Sequence, residues 1–471
     1  MKSLRFIVPV LGLAASLAVA CTEEDPSPSD AEAGAGGQAP EPAAGGAGEG
    51  GAAGSAGSPI GGACSSDGTS TLVIEVSGLP SGVDPDISID GEAFDPADSP
   101  LDTASGPHNV TAARVFDADA IVRTVYDAVV TDPDFCVADG ESHTVEIAYK
   151  AVPSSNKLWM STGMDDELAG FASRDLGESA MISPEASIHA PGAVSVAFDK
   201  DGNLWAVGPI AGEDQLVRLP ASELGESGTV EPDIRINAKD VPCFPPFKHI
   251  AFDPDGNLWL SNNCADTAGI QRIPADELTT SGDKDSDVLI TEVDANEGIA
   301  FDRAGNLWVS GGAVLSRFDQ ARLDASDTDP PDLTIAVTTA TPDNSVLEAS
   351  ELAFDQAGNL WGVAGSTIFQ LAVTDLDQTG QQDVKANISF AVDVLALPGT
   401  PAFDEGNGLW VDLADGEFGR FSPAQLGESS GPGDPVTPAT LISSSAITST
   451  LPLAFFPAPK GLPLYHAIPN D

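Results

Sequence analysis

His249, Glu297 and Glu351 each stand a few residues before a run ending in Ala-Phe-Asp, and Asn262, Asn263, Asp412 and Asp415 follow a Leu-Trp run, as Asp165 and Asp166 do. Carboxylate and amide oxygens are hard ligands that suit Ca²⁺ or Mg²⁺. A histidine among them is a candidate general base, and His249 is the only one in such a position. The competing reading for each is a solvated polar group on a loop. The turns Asp199-Lys200-Asp201-Gly202-Asn203 and Asp253-Pro254-Asp255-Gly256-Asn257 echo the start of a calcium loop. They lack its later ligands and its distal Glu, so they read as structural turns. No catalytic Ser or Cys arrangement and no phosphate-binding glycine loop is present.

What would position these residues is a repeat. AFDKDGNLW ends at Trp205, AFDPDGNLW at Trp259, AFDRAGNLW at Trp308, AFDQAGNLW at Trp361 and AFDEGNGLW at Trp410, while NKLW at Trp159 lacks the first half. These are all six tryptophans of the chain, spaced by 46, 54, 49, 53 and 49 residues. Periods of this length indicate a propeller or a solenoid. Each repeat divides into four strand-sized pieces: A-F-D, then L-W after a tight turn, then a run such as LVRL or IQRI, then one such as IRI or VLI. No stretch keeps a 3.6-residue period, which excludes a helical solenoid. Four antiparallel strands per repeat predict one blade, and six tryptophans predict six blades. The spare run LPLAFF at 451–456 would supply the strand missing before Trp159 and close the ring. Gly461–Tyr465 leaves a seventh, incomplete copy open. Arg218, Arg272, Arg317 and Arg420 recur at one repeat position, which argues for packing or an ion pair within the blade.

The pattern D-x-x-G-N-L-W, over residues 156–471, resembles the NHL-type and streptogramin-lyase-like six-bladed β-propellers and, more distantly, the gluconolactonase type. That resemblance implies a site at one mouth of the central channel. In lactonases of this kind Glu, Asn and Asp hold a metal; in a protein similar to virginiamycin B lyase a His and a Glu serve as base and metal support. Carried onto this chain, His249 would be the catalytic base, Glu297 and Glu351 metal ligands, and Asn262, Asn263, Asp412 and Asp415 ligand-binding. The lyase pattern has Thr-Glu where this chain has Ser261-Asn262.

The first 21 residues read as a signal peptide. Lys2 and Arg5 precede an apolar run from Phe6 to Ala20 that is too short to span a membrane. Leu17-Ala18-Val19-Ala20-Cys21 resembles a bacterial lipobox whose Cys21 is lipidated; ordinary cleavage is the alternative. Thr22 after the cysteine favours the outer membrane, facing the periplasm or the outside. Residues 22–63 are almost entirely Ala, Gly, Pro, Ser and Glu and read as a disordered tether with an end-to-end distance of about 35 Å. Residues 64–152 show five or more short Val-, Ile- and Thr-rich runs. They predict a small Ig-like β-sandwich, ahead of the propeller at 153–471.

Five cysteines enter an oxidising compartment on this reading. With Cys21 lipidated, four remain. Cys243 and Cys264 lie 12 and 9 residues from the turn at Asp255, at the open end of one hairpin, so a disulfide is expected there. Cys64 is then left for Cys136.

The chain carries 72 acidic against 20 basic residues, a net charge of −52, which repels phosphate backbones and excludes nucleic acid as a partner. A monomeric envelope lipoprotein is expected, touching the membrane only through its lipid and presenting a ligand- or protein-binding face. The alternative is a metal-dependent lyase or lactonase. No cofactor is required by the first reading; Ca²⁺ or Mg²⁺ belongs to the second.

Overall fold

The computed structural model describes residues 68–465 except 120, 163–166, 190–192, 211–212, 239–246, 263–268, 292, 294–295, 393–398, 414–415 and 448–451. They belong to one compact unit, 63–471. The signal segment and the tether, with Cys21 and Cys64, lie outside the described residues, as do Cys243, Cys264, Asn263, Asp415, Asp165 and Asp166.

Residues 69–151 form two sheets around a shared core. One has the order Leu101–Ala104, Thr69–Ser77, Ser142–Ala151, Val125–Val130, Val115–Phe116; the other Glu92–Phe94, Ile87–Ile89, Gly106–Ala112, Asp134–Val137. Alternation along Thr69–Ser77 and Ser142–Ala151 points Leu72, Ile74, Val145 and Ile147 inward against Ile87, Val110 and Phe135. Cys136 lies on Asp134–Val137.

The remainder is six further sheets, each carrying one tryptophan on its second strand. Their first strands are Ser195–Phe198, Phe247–Phe252, Asn296–Phe301, Glu351–Phe354 and Ala402–Phe403 for sheets two to six. Sheet one takes its first strand from the far end of the chain: Leu453–Phe456 pairs antiparallel with Lys157–Ser161, Ala454 opposite Trp159. Each of these six strands touches the next, and Leu453–Phe456 touches Ser195–Phe198, so the contacts close into a cycle. This is a propeller-like all-β arrangement with no free edge at its centre. Gly461–Tyr465 adds no strand.

The motif residues explain the closure. Every tryptophan packs against the Ala-Phe-Asp phenylalanine of the following sheet, from Trp159–Phe198 at 6.5 Å to Trp410–Phe455 at 6.4 Å. Between them run Trp205–Phe252, Trp259–Phe301, Trp308–Phe354 and Trp361–Phe403, edge-on at 5.9–6.2 Å. The motif aspartate is a staple. Asp355 accepts from the backbone of Ala357 and Asn359, from the Asn359 amide and from Trp361 Nε1 at 3.0 Å, and it is only 4% exposed. A buried carboxylate is tolerated because its lone pairs are filled. Asp199, Asp253 and Asp302 make the same set. In the two turns that echo a calcium loop, the Asp199 and Asp253 oxygens are thus committed to turn and tryptophan donors, and the Asn203 and Asn257 oxygens accept from Ala221 and Ala275 N–H. The turn glycines sit at φ between +79° and +84°, which a side chain resists.

Sheet six shows why the motif varies there. Its turn reads Gly-Asn-Gly, with Asn407 at φ +56°; the Gly408 N–H donates to Asp404 at 2.8 Å, and glycine stands where the other turns have the asparagine whose side-chain amide bonds the aspartate. Arg420 fills the place, donating to Asp404 at 2.5 and 3.2 Å, and a Cβ on Gly408 would stand 2.4 Å from its guanidinium. Arg218 and Arg272 instead pair with Asp233 and Asp287 over the tryptophan ring, and Arg317 lies over Trp308 and pairs with Asp319.

The sequence pattern did not show how the outer edges are covered. The segment after the third strand continues into a short strand or bridge running parallel to the outermost strand of the preceding sheet. Gly228–Thr229 joins sheet one, Gly282–Lys284 sheet two, Asp327 sheet three, Gly380–Lys385 sheet four, Val436 sheet five and Ala180–Met181 sheet six. Ser179, Ser227, Ser281, Ser326 and Ser429 each accept a backbone N–H across this seam.

Candidate functional site

The six first strands line a cavity of about 150 Å³. Strand alternation sets what faces it. The motif alanines 197, 251, 300, 353, 402 and 454 line it at one level. Two residues before these alanines stand Ser195, His249, Gly298, Glu351, Thr400 and Pro452; Ser195 and Glu351 open their strands, His249 and Gly298 lie within register shifts of theirs, and Thr400 and Pro452 stand just ahead of theirs. The first level repeats and the second does not.

The second level holds the candidate chemistry. His249 Nε2 lies 3.0 Å from Glu351 Oε1, and Thr400 Oγ1 donates to Glu351 Oε2 at 3.2 Å. The three residues come from sheets three, five and six, so the bonded row crosses the channel mouth. Both members of the pair are largely shielded, at 16% and 14% exposed. Sheet four, between them, contributes Gly298. A Cβ there would fall 2.8 Å from the Ser350 carbonyl oxygen and 3.0 Å from Glu351 Cα, so only glycine admits this approach.

Hydroxyls on the second strands fix this level. Ser261 accepts the His249 N–H at 3.0 Å and donates to the Glu297 carbonyl at 3.2 Å. Ser310 accepts the Gly298 N–H and bonds the Ser350 carbonyl at 3.2 Å. Ser195 accepts the Ile250 N–H, and Ser161 donates to the Ala193 carbonyl. Sequence reasoning passed over these serines; their recurrence two residues after Trp159, Trp259 and Trp308 was the available signal.

The other predicted residues are placed differently. Asp412 occupies the serine position of sheet six and is fully buried, beneath the mouth rather than exposed in it. Asn262 ends the strand Leu258–Asn262, paired with Phe247 and Gly269. Glu297 is half-buried and lines a second groove of about 550 Å³ with Thr339, Asp343, Ser345 and Glu348. There the Thr341, Ser345 and Thr339 hydroxyls hold the Asp343 carboxyl well below the usual carboxylate range.

Among the described residues no group of three or more His, Cys, Asp and Glu side chains is arranged to hold a metal ion. His249 and Glu351 offer two donors already bonded to each other. Two such donors are fewer than the roughly six to eight oxygens Ca²⁺ takes.

The opposite end of the channel is closed. Downstream of Leu453–Phe456, Ala458, Pro459, Leu462, Pro463, Leu464 and Tyr465 line the cavity floor. Tyr465 stacks on Phe252 at 5.4 Å, Arg303 donates to the Gly461 carbonyl and Lys460 N–H to Glu405 at 3.3 Å. The two-sheet module reaches the same end: Arg123 pairs with Glu405 at 3.0 Å, Arg114 donates to the Lys200 carbonyl and Ser154 to the Gly202 carbonyl. Burial pushes the Glu405 carboxyl up, against the pull of Arg123. No described helix is long and apolar enough to cross a membrane.

No protein-family model matches this chain, and no curated protein matches it. A solved structure described as a candidate gluconolactonase is similar at a TM-score of 0.37 and 18% identity, over 56% of this chain and 83% of that one. A likeness of this strength bears on neither the site nor the activity.

Proposed function

We propose that the chain is an envelope-anchored lipoprotein whose six sheets are the six blades of a β-propeller, presenting a ligand-binding mouth. In this reading Cys21 carries the lipid, residues 22–63 are the tether, 64–152 an Ig-like spacer with a Cys64–Cys136 bridge, and Cys243–Cys264 staples one blade. The observation that carries it is the polarity of the channel. The tail and the two-sheet module occupy the turn end, and the row His249–Glu351–Thr400 lies at the other.

Two experiments test this. Cys21→Ser should move the protein from the membrane to the soluble fraction; retention in the membrane would sink the anchor. Wild-type protein incubated with Ca²⁺ and glucono-δ-lactone should hydrolyse it no faster than buffer. Turnover that Glu351→Gln abolishes would replace the binding reading with the lactonase alternative, which the paired donors His249 and Glu351 would then serve.

A further inference from the structure

The cavity beneath the row has a composition of its own. Six alanine methyls stand at one level of its wall, beside the Val, Ile, Leu and Phe that flank them on the same strands, while Ala458, Leu462, Pro463 and Tyr465 form the floor. Thr400 lines the cavity and bonds Glu351 directly, so the apolar space and the polar row are continuous. We infer that this space is a binding chamber for a small amphipathic molecule, its apolar part among the alanines and a neutral or cationic head at His249, Glu351 and Thr400. The inference rests on the binding-mouth reading and names the ligand class for it.

Three observations set that class. The size is one: an apolar cavity of roughly 150 Å³ accepts benzene, so the body is one ring or a short alkyl chain. The wall is another. Alanine at all six positions leaves open the space that a Leu or Phe at any of them would fill, and a pocket of apolar walls with a few convergent polar groups is the usual form of a small-molecule site. The charge is the third. Glu351 faces the row in a chain of net charge −52, which disfavours an anionic head. The Glu351 oxygens keep lone pairs beyond those met by His249 and Thr400, and Thr400 Oγ1, whose proton goes to Glu351, can still accept, so the row takes a head that donates.

Calorimetric titration with benzylamine, benzyl alcohol and benzoate tests the inference. Benzylamine and benzyl alcohol should bind saturably, with benzoate at least about tenfold weaker. Ala353→Leu, filling the chamber, should weaken both binders at least about tenfold; Glu351→Gln should weaken benzylamine more than benzyl alcohol. Absence of saturable binding by either, or binding unchanged in Ala353→Leu, overturns the chamber. Should the filled variant fail to fold, xenon-pressurised crystals of the wild type decide: a xenon atom among the six alanines supports the chamber, and none there overturns it. Failure here with a silent lactone assay removes the chamber alone, whereas Glu351-dependent turnover removes the parent reading.

Discussion

The two ends of the channel are built from the same strands by opposite rules. At the turn end every sheet from two to six repeats one device, an aspartate whose lone pairs are filled by its own turn and by the tryptophan six residues on, on the adjacent strand. At the mouth the equivalent positions carry Ser195, His249, Gly298, Glu351, Thr400 and Pro452, and no two neighbours are alike. Repetition marks the residues that hold sheet to sheet. Singularity marks those free to take on a task, since fold-building contacts do not demand them.

This comparison can be broken from either side. The largest effect belongs to the closing strand. Deleting residues 451–471 removes the first strand of sheet one and opens two strand edges, Lys157–Ser161 among them. Circular dichroism should show loss of cooperative unfolding, and size-exclusion chromatography should show aggregates. A monomer with an unchanged melt would mean the ring does not depend on closure.

A smaller effect is expected at the outer seam. Ser281→Ala removes the acceptor of the Arg235 N–H at an exposed edge. The expected cost is about 1 kcal/mol in urea unfolding, the ordinary value of one net hydrogen bond. A loss several times larger would make the seam, not the aspartate staple, the main lock.

Smallest is a pH effect at the turn end. Burial, opposed by Arg123, raises the Glu405 pKa in the folded state, so the native protein holds this proton more tightly than the unfolded chain. Stability contributed by protonated Glu405 is therefore present below the unfolded glutamate pKa and lost as pH rises through the folded one. Glu405→Gln should flatten the stability profile across that window, read from melts at successive pH values; an unchanged slope would contradict the assignment.

The fold was more legible than the site. The hairpin A-F-D-x-x-G-N-L-W names its own turn, its aspartate staple and its buried tryptophan, because each is a local contact within about six residues. The closing strand was legible too, since one half-motif is missing at Trp159 and one is spare at 451–456. The parallel seam was not, because Gly228–Thr229 and its counterparts are too short to show alternation and their partners lie a whole repeat away. At the site, the repeat alignment gives His249, Glu351 and Thr400 one position, two residues before the motif alanine. It could not show that His249 reaches past sheet four to Glu351, which depends on the missing Cβ of Gly298. Asp412 read as a loop residue because it follows Leu-Trp-Val, yet the strand Leu409–Asp412 continues through it and buries it.

The central claim is that repeated residues carry stability and the singular row does not. Urea unfolding of Asp355→Ala beside the double variant His249→Ala/Glu351→Ala tests it in one experiment. Removing Asp355 leaves the buried Trp361 and Asn359 donors without an acceptor and should cost about 3 kcal/mol, whereas removing both partners of the mouth pair orphans only the half-buried Thr400 hydroxyl and should cost less than about 1 kcal/mol. Equal losses, or a larger loss in the double variant, would contradict the account.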